Sequence, residues 1–337
     1  MQYSPSTYTP GDTAEWETID PQEAGFDPAL LAELEAYHGA HESEWPRSMY
    51  MPNGDYAGTA FIGDRPPHNT AIGPVKPRGG PAGMLLRGGR VVSHWGDTGR
   101  ADMTFSIAKS FLGVLAGLAV ERGLIRSLDD PMADSALDDG FEGAHNGAIT
   151  WRHMLQQTSE WSGTLWGKPD TVDHNRQVGP GTASATKGEA RVLRAPGAFW
   201  EYNDVRVNRL SLSLMQVFRR PLPEVLDEAI MTPIGATGWV WDGYENSTVE
   251  IDGRAMESVS GGGHWGGGFQ ISTDALARFG LLIARQGRWN GKQLVPESWI
   301  GQMLAPCPAN PVYGFMLWLN TERQLYPSAP ASSVFAR

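Results

Sequence analysis

Ser106 and Lys109 stand three residues apart in Phe105-Ser-Ile-Ala-Lys-Ser110. On a helix that spacing puts a hydroxyl and an amine on one face. A lysine backed by an apolar helix is partly desolvated, which disfavours its charge and lets it act as a base toward the serine. The first helical turn adds unpaired N–H groups and the positive end of the helix dipole, both of which favour a developing oxyanion. The pair therefore predicts nucleophilic attack by Ser106 on a carbonyl. The plainer reading makes Ser106 a cap and lets Lys109 snorkel to solvent. A second copy of the pattern, Ser184-Ala-Thr-Lys187, lies in a polar stretch rich in Gly and Pro with no helix behind it, and is set aside for that reason.

Two further stretches carry candidate chemistry. Pro196-Gly-Ala-Phe-Trp-Glu-Tyr202-Asn203-Asp204 is a Pro-Gly turn followed by aromatics, just before an amphipathic helix. Ser260-Gly-Gly-Gly-His264-Trp265-Gly-Gly-Gly-Phe269 is a glycine run followed by a helix that Ser272 or Thr273 can cap. Its glycines allow the backbone to approach a ligand closely. Tyr202 could equally be a packed aromatic, and His264 a structural histidine bonded to a loop carbonyl. Trp151, Trp161, Trp166, Trp200 and Trp265 flank these motifs and are candidates to line a cleft or to fill a core.

Taken together, the three motifs resemble those of the serine β-lactamase-related hydrolases, of the class C β-lactamase and esterase kind, and in particular the branch containing 6-aminohexanoate-dimer hydrolase. Ser-x-x-Lys is the nucleophile motif of serine β-lactamases and penicillin-binding proteins. The resemblance implies that Tyr202 shuttles the nucleophile's proton to the leaving group, aided by a nearby lysine. It implies a substrate-side position for His264, with Trp265, Asn203, Asp204 and Trp161 as further substrate-binding candidates. The family pattern has Asn where this chain has Asp204. A carboxylate near Lys109 would favour its ammonium form and weaken it as a base, unless Asp204 pairs with Arg206 or the backbone, or Asn203 takes the hydrogen-bonding role. No Lys-Thr-Gly triplet occurs. In the resembling family that third motif lies on a late edge strand that supplies the second oxyanion N–H. Here the sequence reaches Arg337 where that strand would begin, so the expectation is a longer product, a C-terminal fragment still bound, or an incomplete catalyst; the expected protein partner is such a fragment or a homodimer.

These residues need a scaffold, and the sequence outlines one. Asp27 and Pro28 open a helix with Leu30, Leu31, Leu34 and Tyr37 on its apolar face. Residues 82–86 and 91–95 read as a hairpin over Arg87-Gly-Gly-Arg90. Residues 106–124 read as a helix apolar almost all round, and hence buried. Thr150–Gln157, Val205–Phe218 and Thr273–Arg285 read as helices, 163–190 as a mostly polar loop, and Pro311–Asn320 as a strand. Strands near both ends and helices between them predict an α/β (α+β) fold, an antiparallel sheet flanked by helices with an inserted helical lobe. The expected division is 1–105 and 256–337 for the sheet lobe and 106–255 for the helical lobe.

Composition narrows the function. The chain has 337 residues, room for one large domain or two lobes. A net charge of −11 argues against a nucleic-acid partner. Cys307 is the one cysteine, so no intramolecular disulfide and no thiolate metal cluster can form. No His-Glu-x-x-His or Gly-x-Ser-x-Gly occurs, and no Walker or dinucleotide glycine pattern follows a predicted strand, so no metal and no cofactor is expected. The N-terminus lacks a basic start followed by an apolar run, and Phe111–Val120, the longest apolar stretch, is about half a bilayer span. The expectation is a cytoplasmic serine hydrolase acting on a small amide or ester, with no membrane partner. A β-lactamase or D-alanyl carboxypeptidase is the alternative within the class, and a non-catalytic ligand-binding protein on the same fold is the alternative outside it.

Overall fold

The computed structural model describes residues 8–11, 15–178 and 185–336. Its axis is the helix Ala108–Glu121, preceded by a tight 3₁₀ turn over Phe105–Ile107 that carries Ser106. Every residue from Ala108 to Ala119 is buried, as an all-round apolar helix requires. Phe111 stacks on Phe269 and Phe279, with ring centroids 4.2 and 3.9 Å away. That stack ties the helix to the strand Gly268–Ser272 and to the helix Thr273–Ala284. Gly117 lets Trp299 lie flat against the axis, since a Cβ there would come within 2.3 Å of the indole.

Four antiparallel strands form the main sheet, in the order Ala101–Met103, Gly268–Ser272, Trp239–Ile251, Arg254–Val259. The last two make a hairpin over Asp252-Gly253, both at positive φ (52° and 76°), the geometry that favours an Asp-Gly pair in a two-residue turn. This hairpin is not among the expectations above, because Glu245, Asn246, Ser247 and Thr248 interrupt the apolar alternation. The expected first hairpin forms between Gly83–Arg87 and Arg90–Trp95, turning at Gly88-Gly89.

The middle helices begin where their capping residues sit. Thr150 accepts from the backbone N–H of His153, Asn203 from that of Arg206, and Ser272 from that of Ala275. No helix among the described residues is long and apolar enough to cross a membrane.

Three expectations differ from the structure. Pro311–Asn320 is a strand only at Trp318–Leu319, paired with Val334–Phe335. Every residue from Tyr313 to Asn320 is buried, whereas a strand would alternate faces. A turn at Met316 (φ 59°) and the Gly314 N–H bonded to the Leu317 carbonyl fold the run inward instead. The helix Pro28–Ala40 forms under its Asp27 cap, but Leu30, Leu34 and Tyr37 stay 63%, 43% and 61% exposed, so its apolar face covers no core. Within 163–190, read as a mostly polar loop, Thr164–Leu165 pairs with Lys168–Pro169, Asp170–Asp173 forms a 3₁₀ turn, and Asp170, Asp173, His174 and Lys187 are buried.

Candidate active site

The 3₁₀ turn holds Ser106 at the mouth of the axial helix, half-buried. Phe105 before it adopts φ 48°, a strained conformation for a residue with a side chain. Trp45 lies edge-on against its ring, 5.3 Å between centroids. One turn along, Lys109 points back to the serine, its Nζ donating to Ser106 Oγ at 2.9 Å and to the Gly262 carbonyl at 3.3 Å. The Gly262 carbonyl is also 3.4 Å from Ser106 Oγ. Only glycine fits here, because Gly262 has φ 93° and a Cβ would sit 2.5 Å from the Phe105 carbonyl oxygen.

The third ammonium contact of Lys109 is Asp204 Oδ1 at 2.7 Å. Asp204 reaches it from the first turn of the helix Asp204–Phe218. Its second oxygen receives Arg176 Nη1 at 2.8 Å and His264 Nδ1 at 3.0 Å. Burial pushes the Asp204 carboxyl up, but Arg176, Lys109 and His264 outweigh it and hold it well below the ordinary range. His264 Nε2 bonds Asp64 at 2.7 Å, and the Trp265 indole N–H donates to the same oxygen at 2.7 Å. Lys187 pairs with Asp64, and with Asp173 at 3.4 Å. Asp64, Asp173 and His264 bring ligand-type atoms within 4.8 Å of one another, and the cation paired with both carboxylates is the Lys187 ammonium.

The structure thus brings together Ser106, Lys109, Asp204, His264 and Trp265. Tyr202 joins them through its ring, with Lys109 Nζ 4.8 Å and the Arg176 guanidinium 5.2 Å from the centroid. Asn203 is spent on local structure. Its side chain caps the helix through the Arg206 N–H at 3.2 Å and donates to the Asp170 carbonyl at 2.9 Å. Trp161 lies in the hydrophobic core, its indole N–H on the Gly140 carbonyl at 2.7 Å. Asp204 pairs with Lys109 rather than with Arg206. Asp64, Arg176, Asp173 and Lys187 are not among the sequence candidates. Lys187 carried the one available signal, as the lysine of the set-aside Ser-x-x-Lys; Ser184 lies outside the described residues.

The family model named Beta-lactamase matches residues 78–318, which span the serine, the lysine, the tyrosine motif and the glycine-rich loop. The chain belongs to the Beta-lactamase family. None of the curated proteins compared with it matches. Among solved structures, a candidate β-lactamase from Bacteroides dorei DSM 17855 is 18% identical, with 69% of this chain and 71% of that chain covered and a TM-score of 0.50. A candidate 6-aminohexanoate-dimer hydrolase from Bacillus anthracis is 17% identical, with 72% and 66% covered and a TM-score of 0.50. A penicillin-binding-protein homologue from Caulobacter crescentus is 17% identical, with 73% and 77% covered and a TM-score of 0.50. At these identities the likeness is one of fold: the chain has the β-lactamase and penicillin-binding-protein architecture of helices and antiparallel sheets. The family match also covers the paired Ser106 and Lys109, set at the start of the buried helix.

Proposed function

We propose that the protein is a serine hydrolase that cleaves a small amide or ester through an acyl-enzyme on Ser106. The observation that carries this reading is the line Ser106 Oγ–Lys109 Nζ–Asp204 Oδ1, with steps of 2.9 and 2.7 Å. It is the order nucleophile, base, orienting carboxylate that activated nucleophiles share. Lys109 takes the hydroxyl proton as Oγ bonds to the carbonyl carbon, and Asp204 stabilises the ammonium that results. The Ser106 N–H, in a helical first turn, faces the oxyanion as one donor. Tyr202 passes a proton to the departing amine or alcohol as its bond to the carbonyl carbon breaks, and takes the serine proton back from Lys109. A water then attacks the acyl-enzyme, giving a proton to Lys109, and Ser106 Oγ takes that proton as its bond to the acyl carbon breaks.

The substrate class follows from the resemblance to the 6-aminohexanoate-dimer hydrolase branch: linear amides or short acyl esters. A second reading, ligand binding without turnover, is favoured by the same ion pair, which sets a buried carboxylate oxygen 2.7 Å from the Lys109 ammonium. A fluorophosphonate probe separates the two. Labelling that disappears in Ser106→Ala supports the nucleophile, while folded protein that takes no label sinks the enzyme reading. Turnover of linear amides and p-nitrophenyl esters, set against a chromogenic cephalosporin, then ranks the substrates. Preference for the cephalosporin would replace the amidase or esterase reading with a β-lactamase.

A further inference from the structure

Seven charged side chains form one buried network behind Ser106: Asp64, Asp173 and Asp204 against Lys109, Arg176, Lys187 and His264. None of them is more than 8% exposed. Asp204 is where the cations converge, with Lys109 on one oxygen and Arg176 and His264 on the other. His264 is held from its far side by Asp64, whose other oxygen is bonded to Lys187. The groups that face His264 are therefore Asp64 and Asp204, with Asp173 behind them, and the cations Arg176, Lys187 and Lys109; the buried Lys168 lies beyond, over the Trp265 ring, its Nζ bonded to the His68 and Thr70 carbonyls.

Buried charge is least costly when it cancels. Three carboxylates balance three cations, and the network holds four cation-forming groups. Arg176 does not give up a proton, and Lys187 pairs with two carboxylates. Burial alone would disfavour a charged His264, but Asp64 and the bond to Asp204 outweigh it and raise its proton affinity above the ordinary value. That leaves Lys109, the group that touches the nucleophile, sharing the single carboxylate Asp204 with Arg176 and His264.

We propose that Asp64 and His264 are positioning residues acting through Asp204: Asp64 keeps His264 an imidazolium, His264 draws the Asp204 charge away from Lys109, and Lys109 is left free to take the Ser106 proton. This rests on the serine-hydrolase reading above and adds a device that offsets the carboxylate at the position where the family pattern has Asn. Without His264, Asp204 would serve only Lys109 and Arg176 and would hold the ammonium harder.

The test is the rate of fluorophosphonate labelling against pH. In that reaction Ser106 Oγ bonds to phosphorus, fluoride leaves and the hydroxyl proton passes to Lys109, so no natural substrate is needed. His264→Gln is expected to move the rise in rate to higher pH by about one to two units, the size of shift a close charge produces. At neutral pH that is a loss of roughly tenfold to a hundredfold. Asp64→Asn moves the rise in the same direction by less, and Asp204→Asn moves it to lower pH. In the Asp204→Asn, His264→Gln double variant the His264 shift vanishes, because the group it acts through no longer carries charge. A rate lowered equally at every pH, or a shift that persists in the Asp204→Asn background, overturns the proposal. Thermal melts establish which variants fold. If the His264 and Asp64 variants do not, the ¹⁵N shifts of His264 in the unaltered protein decide: both ring nitrogens protonated at neutral pH supports the proposal, and one protonated overturns it. Unaltered protein that takes no label at any pH sinks the serine-hydrolase reading and this proposal together. Labelling with an unmoved profile sinks this proposal alone.

Discussion

Two buried charge clusters flank the helix that starts at Asp204, and they are built from different side chains. In one, Glu160, Glu201 and Asp170 meet Arg191 and Arg206, with His174 on Asp170 at 2.9 Å. Arg191 spans Glu160 and Glu201 at 2.6 and 2.7 Å, and the Arg206 Nε donates to the Trp161 carbonyl at 3.0 Å. Backbone N–H groups of Arg194 and Asn175 complete the carboxylates. Apart from His174, the cations here are planar, always-charged forks, which hold fully bonded carboxylates and their loops in one arrangement. The other cluster reaches Ser106 through Lys109 and includes His264, groups that can change protonation state. The first cluster, the clamp, is dominated by arginine forks and the second is the one proposed to handle a proton, though both are buried ionic networks.

Breaking each cluster at its centre tests that distinction. Lys109→Met removes the proposed base while leaving Asp204 with Arg176 and His264. Labelling of Ser106 should fall roughly 10²–10⁴-fold, the usual contribution of a positioned acid–base group, with the thermal midpoint little changed. Glu160→Gln does the reverse. It leaves Arg191 and Arg206 short of a buried partner, which should cost about 3–5 kcal/mol in a denaturant titration. Labelling per folded molecule should stay near that of the unaltered protein. A Glu160 variant that keeps its stability but loses labelling would erase the distinction between the clusters.

The two clusters were unequally legible in the sequence. Ser106 and Lys109 stand out because one helix brings them together, and Asp204 because it adjoins Tyr202 and departs from the family pattern. Asp64, Arg176 and Lys187 come from loops and Asp173 from a short 3₁₀ turn, where no periodicity marks a side chain as buried. Asp64 meets His264 across 200 residues of chain. Glu160 and Arg206 meet across 46, and nothing in the local composition distinguishes them from solvated charges. The sheet shows the same division. The Gly88-Gly89 hairpin has apolar flanks that announce it, whereas the Asp252-Gly253 hairpin has a good turn and a polar strand, and only tertiary packing decides in its favour. The exposed face of Pro28–Ala40 is the opposite case, a helical pattern read correctly with no core beneath it.

The pH dependence of stability separates the clusters by a smaller margin. In the clamp, burial pushes the Glu160 carboxyl up, but Arg191, the Arg194 N–H and Arg206 outweigh it and bring it down to about 2, from an ordinary 4.5. A depressed carboxyl contributes stability that is present above its ordinary value and lost as pH falls toward the depressed one. Glu160 should therefore give up at most about 3 kcal/mol across that acid window, and Glu160→Gln should flatten the acid limb of the stability profile. Asp204 and Asp64, also held low, add to the same acid loss. His264 acts with the opposite sign. Its raised proton affinity contributes stability that is complete below the ordinary histidine value and lost as pH rises through the folded one. Urea titrations across pH should show His264→Gln removing a loss on the alkaline side that Glu160→Gln leaves in place. In the clamp, Glu160 between its arginine forks gives its loss in acid. A site holding an imidazolium between two carboxylates fails at both ends, and if the unaltered protein shows no alkaline loss that His264→Gln abolishes, His264 is not carrying the charge that the site requires of it.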